Sequence, residues 1–404
     1  MNYTRQQKVS KRALGGYIII TILVLFVLGP RFGITKIGTY GLLPLLSVIG
    51  LSLSIKKGQY LTRKHEFYCL IFLFFLSLTG LFYYKDLPEM IANMTRLLGA
   101  ILGAYCALSL SQTKNNFQVP FHVAYVLLIA GLFLVMVTNG NFVLGIGLSS
   151  SKLLRDVFML NANSYSYYSF FANISLFILF LQYKNLITKI ALAVFPILFI
   201  LISFATQSRS GLLFIVLSNL VFWLFIFKTN NKNPFKKLAT SFVTLVAIVF
   251  AIYQFTILLL QSDFSKRLSV KEDSSQERTN IMIEGINYFL EYPFTGVGIG
   301  QYPIYSKYGL FTHNSFVEAF AEQGFIAGIL VLIIFIRPLI ISFGLFKKHR
   351  QNPEVKVQFL FFLVFALFNN FYVFYKFSFA MIFHFIMIGY QQQTLRNLQI
   401  KDET

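Results

Sequence analysis

The chain has 404 residues, of which 56% are hydrophobic, 18% aromatic and only 12% charged, against about 25% charged residues in an average soluble domain. This composition, with a mean hydropathy of +0.66, excludes an ordinary soluble globular protein and predicts an integral membrane protein. The net charge of +20 does not indicate nucleic-acid binding, because most basic residues lie in loops between apolar segments, where they set topology beside an anionic leaflet.

Apolar runs of about 17 to 23 residues recur along the chain, the length that a helix needs to cross roughly 30 Å of hydrocarbon. Their continuous hydrophobicity excludes the alternating pattern of a membrane β-barrel. We therefore predict an all-α, polytopic membrane protein with about 12 transmembrane helices in a single domain, residues 1–404. The predicted spans are 13–29, 34–55, 67–84, 90–110, 119–138, 165–182, 187–206, 210–228, 238–260, 322–346, 357–375 and 377–393.

Basic residues are divided unevenly between the two sides of these spans. A clear majority of the 35 Lys and Arg residues fall on the side that holds both termini, whereas a smaller group that includes Lys376 falls on the other. The positive-inside rule then predicts that both termini are cytoplasmic. The long loop 261–313, between the ninth and tenth spans and carrying short helices, is predicted to face outward, as is a second loop at about 139–164.

The sequence does not indicate a metal site or a cofactor site. Cys69 and Cys106 fall within separate spans and form no CxxC motif, so neither a disulfide framework nor a zinc site is predicted. The outer side shows no DxD pair and no His/Asp cluster with the spacing of metal ligands. A metal-dependent mechanism is therefore disfavoured.

Three arginines lie at the outer ends of predicted spans or on the long outer loop: Arg96, Arg209 and Arg278. Arg209 follows Thr206-Gln207-Ser208 in a polar interruption between two apolar blocks. A guanidinium among hydroxyl groups at a membrane edge suits bidentate contact with a phosphate. The alternatives are an interfacial anchor for Arg209 and a solvated loop face for Arg278.

Three tyrosines follow the second outer loop, which ends in Asn161-Ala162-Asn163. Tyr165, Tyr167 and Tyr168 could stack on sugar rings. An aromatic belt at the membrane interface is the interpretation that we favour.

Among the five histidines, only His313 is predicted to lie at the outer boundary of the membrane. A histidine there could take a proton from a sugar hydroxyl, because its usual pKa of about 6.5 suits a general base near neutral pH. On position alone, a capping role for the next helix is the commoner one. Glu318 and Glu322, four residues apart and hence on one helical face, are either functional intramembrane carboxylates or part of a shallow, hydrated helix start.

The glycines of Gly296-Val297-Gly298-Ile299-Gly300 follow a helix-like run that ends at Glu291. No strand precedes them, so a nucleotide-binding loop is excluded by context. They are predicted to let the backbone turn tightly or approach a ligand closely.

Taken together, these segments resemble the O-antigen ligase and Wzy-type polysaccharide polymerase superfamily. The resemblance covers about residues 160–330 and is most specific in the last two of its four stretches. Asn161-Ala162-Asn163 departs from the commoner Pro-Asn pattern of the family. The matching stretches are Asn161-Ala162-Asn163, Ser208-Arg209, Arg278 through Gly300, and His313-Asn314-Ser315-Phe316 through Gly324.

The resemblance implies a metal-independent, cofactor-free glycosyl transfer with inversion, at the outer face of the bacterial cytoplasmic membrane. The donor would be an undecaprenyl-pyrophosphate-linked oligosaccharide and the acceptor another glycan. His313 would activate the acceptor hydroxyl, while Arg209 and Arg278 would hold the pyrophosphate. The further substrate-binding candidates are Arg96, Asn161, Asn163, Asn314 and Glu322.

The sequence leaves the choice among related functions open. A polymerase that joins repeat units of a capsule, exopolysaccharide or O-antigen is favoured over a ligase, because the Lys-, Asn- and Phe-rich usage fits an AT-rich bacterium without a lipopolysaccharide acceptor. A flippase and a chain-length regulator would be its partners. A transporter of lipid-linked sugars is the alternative of another class, although it should place its polar groups near the bilayer midplane, whereas here they gather at one face.

Overall fold

The computed structural model describes residues 65–113, 118–138, 162–205, 208–226 and 273–402. Within these ranges every regular element is a helix and no strand occurs, which confirms the all-α prediction. A 3-10 turn, Leu78–Phe82, follows the first helix, and a π-helical turn, Phe222–Ile226, follows the sixth. The described α-helices are α1 (His65–Ser77), α2 (Leu87–Thr113), α3 (Gln118–Thr138), α4 (Ala162–Tyr183), α5 (Leu186–Ala205), α6 (Arg209–Val221), α7 (Asp273–Glu291), α8 (Tyr302–Tyr305), α9 (Ser315–Lys348), α10 (Pro353–Phe368) and α11 (Ser378–Asp402).

Several described helices have the length and composition of membrane spans, and each of them overlaps a span predicted from the sequence. Since other predicted spans lie outside the described residues, the total of about 12 stays a prediction. The four apolar stretches long enough to cross a membrane are His65–Phe82, Leu87–Leu108, Leu186–Ser203 and Ser315–Lys348. The predicted spans outside the described residues are 13–29, 34–55 and 238–260.

Aromatic rings fill the space between the helices. Helix α4 packs against α3, α5, α6 and α10, and α11 packs against α2. In this core the rings of Phe171 and Phe383 stack with their centroids 4.9 Å apart, while Phe365 meets Phe171 edge-on at 5.4 Å. Because lipid tails are as apolar as these side chains, the cohesion comes from close packing and ring geometry rather than from exclusion of water.

The tyrosines that begin α4 belong to this core, so the prediction of an aromatic belt is wrong. Tyr165, Tyr167 and Tyr168 are only 1%, 1% and 3% exposed. They face neighbouring helices because α4 is surrounded by protein on several sides. Their burial is equally incompatible with stacking on a sugar.

Helix α9 is interrupted near its start. Gly324 has φ +78° and ψ −170°, which separates a short first part, Ser315–Gln323, from the long apolar part that follows. Helix α7 packs against α9, and α10 follows α9 as an antiparallel neighbour. The break, the segment before it and the connection between α10 and α11 together form the region around His313.

Candidate functional site

The glycine-rich turn after α7 lies against the break in α9. The amide of Val297 donates to the carbonyl of Ala321 at 2.9 Å, and the amide of Gly298 donates to the carbonyl of Glu322 at 2.7 Å. Helix α7 ends at Glu291, as the sequence predicts. The turn therefore makes a close approach, and its partner is another backbone segment.

Two glycines make this approach possible. Gly296 has φ +62°, and a Cβ there would lie 2.2 Å from the carbonyl carbon of Glu322. Gly324 has φ +78°, and a Cβ there would lie 2.4 Å from the carbonyl oxygen of Phe294. Both positions combine a left-handed backbone with a contact that excludes any side chain.

His313 lies in the loop between this turn and α9, and its backbone is left-handed with φ +58°. Such a conformation is uncommon for a residue other than glycine and persists where neighbouring contacts impose it. Those contacts are made by the residues on either side. The amide of Thr312 donates to Oε2 of Glu318 at 2.7 Å, and the side-chain oxygen of Asn314 accepts from Phe316 and Val317 at 2.9 and 3.1 Å.

The helix cap at this point is Asn314 and not its neighbour. Asn314 precedes the first residue of α9 and has an extended backbone, the conformation of an N-cap. Its amide nitrogen also donates to Oδ1 of Asn370 at 3.2 Å, and the residue is 4% exposed. The capping role considered for His313 is therefore wrong, and the predicted substrate ligand Asn314 holds the backbone.

The imidazole of His313 is half-buried, and its ring centroid lies 4.2 Å from that of Phe311. Burial lowers the pKa of His313 from 6.5 to about 4; the guanidinium of Arg278 acts in the same direction, and the carboxylate of Glu318 opposes it. The ring is consequently neutral near pH 7. A neutral imidazole has one nitrogen free to accept a proton.

Arg278 connects this histidine with a second part of the chain. It lies exposed on α7 and is close enough to act electrostatically on both His313 and Tyr167. The hydroxyl groups of Tyr167 and Ser210 are 3.1 Å apart. The segments that carry Arg278, His313 and Ser210 are thus neighbours, although 103 residues separate the last two in the sequence.

Arg209 is the first residue of α6, directly before Ser210. Ser208 caps this helix, and its hydroxyl accepts from the amide of Gly211 at 3.4 Å. The helix start therefore brings the Arg209 backbone beside Tyr167. Of the two predicted asparagines, Asn163 lies in the first turn of α4 and Asn161 lies outside the described residues.

Arg96 makes its polar contacts on its own helix, α2. Its guanidinium lies 3.6 Å from a carboxylate oxygen of Glu89 and donates to Oδ1 of Asn93 at 3.2 Å. The side chain is 49% exposed. These contacts do not connect Arg96 with His313 or Arg278.

Sequence reasoning missed a buried ion-pair cluster. Lys376, counted there as a topology signal in a loop, is 4% exposed and pairs with both Glu318 and Glu322. The other oxygen of Glu322 accepts from the amide of Gly300 at 2.9 Å. Two intramembrane carboxylates on one helical face require a cation, and a lysine between two apolar segments is the signal that could have identified it.

The connection between α10 and α11 fits against the start of α9 through Ser315. The amide of Ser315 donates to the carbonyl of Asn369 at 2.7 Å, and its hydroxyl donates to the carbonyl of Tyr372 at 3.0 Å. The amide of Phe374 donates back to that hydroxyl at 2.9 Å. Lys376 therefore lies on a connection that is itself hydrogen-bonded to the start of α9, next to the His313 loop.

Residues 192–332 match the model of the O-antigen ligase family. The matched segment contains Arg209, Arg278, His313 and Glu322, and it confirms the resemblance to the O-antigen ligase and Wzy superfamily. No curated protein matches the chain. The match covers part of the chain, and the apolar helices of span length indicate a multi-pass membrane protein.

Proposed function

We propose that the chain is a glycosyltransferase of the outer face of the cytoplasmic membrane, which polymerises repeat units carried on undecaprenyl pyrophosphate. The observation that carries the proposal is the grouping around Arg278. Arg278 acts electrostatically on His313 and on Tyr167, and the hydroxyl of Ser210, the residue after Arg209, lies 3.1 Å from that of Tyr167. This grouping supports a single region for the base and the two arginines.

The donor supplies an activated leaving group. The hydroxyl oxygen of the acceptor sugar attacks the anomeric carbon, the bond from that carbon to the pyrophosphate oxygen breaks, and the polyprenyl pyrophosphate leaves with the electron pair. Attack opposite the leaving group inverts the anomeric carbon. The guanidinium groups of Arg209 and Arg278 stabilise the charge that develops on the pyrophosphate.

His313 takes the proton of the attacking hydroxyl. A neutral imidazole can accept it directly, and the lowered pKa of about 4 keeps the ring neutral in the free enzyme. When the pyrophosphate binds beside Arg278, its negative charge offsets the effect of the guanidinium and raises the basicity of the ring. The base therefore becomes stronger when the donor is present.

The remaining predicted ligands take different roles in this proposal. Glu322 and Asn314, which are 0% and 4% exposed and bound to backbone amides, hold the loops of the site instead of the substrate. Arg96, Asn161 and Asn163 stay candidates for contacts with the sugars or the distal phosphate. A flippase and a chain-length regulator stay candidate partners.

A ligase that moves a finished glycan to another acceptor is the second candidate. The description of the matching family, O-antigen ligase, favours it. Both reactions use the same base and the same leaving group, and they differ in the acceptor.

The test is complementation of cells that lack the native protein, with equal amounts of each variant in the membrane. His313→Ala, Arg209→Ala and Arg278→Ala are compared with wild type by glycan gel and by analysis of lipid-linked intermediates. We expect each variant to accumulate single repeat units on the lipid. Accumulation of full-length chains on the lipid would support the ligase.

Two variants serve as controls. His349→Ala removes a histidine at the opposite end of α9, and Lys307→Ala removes an exposed cation from the same predicted outer segment, 261–313, as Arg278. Both are expected to behave like wild type. If all three site variants made wild-type polymer, the proposal would be overturned and the transporter would be the favoured alternative.

A further inference from the structure

Lys376 joins two loops that flank the proposed base. Its ammonium lies 3.2 Å from Oε1 of Glu318 and pairs with Oε2 of Glu322. The second oxygen of each carboxylate accepts a backbone amide: Thr312 donates to Glu318 at 2.7 Å, and Gly300 donates to Glu322 at 2.9 Å. Lys376 is thus linked through Glu318 to Thr312, the residue before His313, and through Glu322 to Gly300, the last glycine of the turn.

The cluster is secluded from water and from the membrane. The side chains of Glu318 and Glu322 are 2% and 0% exposed, and that of Lys376 is 5% exposed. Among the lysines and arginines whose side chains the structure describes, Lys376 is the only one that is buried. The hydroxyl of Tyr375 also donates to Glu322, at 3.3 Å.

Stability alone does not account for such a cluster. Removing three charged groups from water is costly, and uncharged residues of similar size are often as stable in the same place. What charged groups add is strong, directional hydrogen bonds to the groups they face. Here those groups are backbone amides on both sides of the site.

We propose that Lys376 is a positioning residue for the reaction, which holds the His313 loop and the glycine turn in their relative places through Glu318 and Glu322. This inference rests on the function proposed above. Because Lys376 is buried, its role would be to position other groups and not to touch the substrate. Displacing a general base by about 1 Å can slow a reaction by on the order of a hundredfold, so the ion pairs matter for rate more than for folding.

The test uses a variant in which the whole cluster is neutral, Lys376→Met with Glu318→Gln and Glu322→Gln. Each glutamine can still accept the amide of Thr312 or Gly300, and no unpaired charge is left buried, so we expect the protein to fold. The single variant Lys376→Met would leave two carboxylates without their cation and is expected to lose stability. The triple variant is therefore the informative one.

Two readouts are made on the purified full-length protein in liposomes. The first is kcat and KM for transfer from lipid-linked repeat units, with Glu284→Gln as the matched control. Glu284 also accepts a loop amide, that of Lys307 at 3.2 Å, and binds the hydroxyl of Ser306 at 2.5 Å. The second is hydrogen–deuterium exchange of the peptide that spans 296–314, which does not depend on activity.

We expect the triple variant to lose on the order of tenfold to a hundredfold in kcat, with KM for the donor within about twofold of wild type and faster exchange in the peptide. Glu284→Gln should keep the wild-type kcat. A wild-type kcat in the triple variant, or unchanged exchange, would overturn the positioning role and leave the proposed function intact. No transfer by wild type, or full transfer by His313→Ala, would overturn the proposed function and this inference with it.

Discussion

His313 owes its proposed chemistry to its surroundings. An exposed histidine is partly protonated at neutral pH, and a protonated imidazole cannot act as a base. Burial, assisted by Arg278, lowers the pKa to about 4. The pH dependence of kcat/KM reports ionisations of the free enzyme, so its pH profile should show this pKa.

We expect kcat/KM to be constant from neutral pH down to about pH 5 and to fall near pH 4, where the imidazole gains its proton. Replacing Arg278 with Gln removes a cation that lowers the pKa, so the fall should move to higher pH. The shift should be less than about one pH unit, because water and salt screen an exposed guanidinium. Arg278→Lys keeps the charge and is the control. A fall near pH 6.5 in wild type would contradict this assignment.

Asn314 fixes the chain immediately after the base. Its side chain accepts two amides of the first turn of α9, a contribution of about 0.5 to 2 kcal/mol for an N-cap. Asn314→Ala should lower the midpoint of thermal unfolding in detergent, measured by size-exclusion recovery after heating. Asn314→Ser retains a capping oxygen and should lose less. Equal midpoints for Asn314→Ala and wild type would show that the cap is dispensable.

At the scale of elements, the contact between the glycine turn and the break in α9 organises the site. Gly296 and Gly309 have nearly equal backbone angles, φ +62° and +63°. A Cβ at Gly296 would meet backbone atoms of Glu322 and Gln323 at 2.2 and 2.3 Å, whereas a Cβ at Gly309 would meet nothing within 4 Å. The two positions therefore separate the cost of a left-handed backbone from the cost of the clash.

Gly309→Ala should cost about 1 to 2 kcal/mol, the strain of a left-handed residue with a side chain. Gly296→Ala adds a backbone clash that no rotamer relieves, so we expect a much lower yield of folded protein and loss of transfer. Thermal unfolding and activity of the two variants give the comparison. If Gly296→Ala were as stable and active as Gly309→Ala, the turn would not pack as described.

The sequence predicted the described helices and the position of the glycine turn because these follow from local pattern. Apolar runs of span length identify helices, and the run to Glu291 and the glycine turn could be placed from their residues. The capping role of Asn314 was missed because an asparagine and a histidine before a helix differ only in backbone geometry. The burial of Tyr167 was missed because an interfacial tyrosine and a core tyrosine have the same neighbours in the chain.

Lys376 could not be identified from the sequence because its partners are distant in the chain. Its partner Glu318 lies 58 residues away in the sequence, and no spacing rule connects residues on separate helices. The sequence indicated only that two carboxylates within the membrane need a cation, and it did not show which lysine or arginine supplies it. The proximity of Arg278, Tyr167 and Ser210 likewise depends on tertiary structure.

At the scale of the whole molecule, α9 is the element that relates the site to the membrane. Its part after Gly324 has 24 residues and is about 36 Å long at about 1.5 Å per residue, enough to cross the hydrocarbon layer. The site lies at the start of this helix, and Lys347 and Lys348 lie at its end. By the positive-inside rule, we expect the lysine end to face the cytoplasm.

Orientation can be measured with single cysteines. After Cys69 and Cys106 are replaced by Ser, a cysteine is introduced at Lys307 or at Arg350, both exposed. We expect a membrane-impermeant maleimide to label Lys307→Cys in intact spheroplasts and to label Arg350→Cys only after permeabilisation. The opposite pattern would place the proposed site in the cytoplasm, away from the outer face.

The most direct test of the central claim is a reconstituted reaction. Purified protein in liposomes is given lipid-linked repeat units isolated from cells that lack it, and both released polyprenyl pyrophosphate and glycan length are followed. Wild type should release one polyprenyl pyrophosphate for each unit joined, and His313→Ala should be slower by on the order of a hundredfold or more at equal folded amounts. A His313→Ala variant that joins units at the wild-type rate would contradict the account.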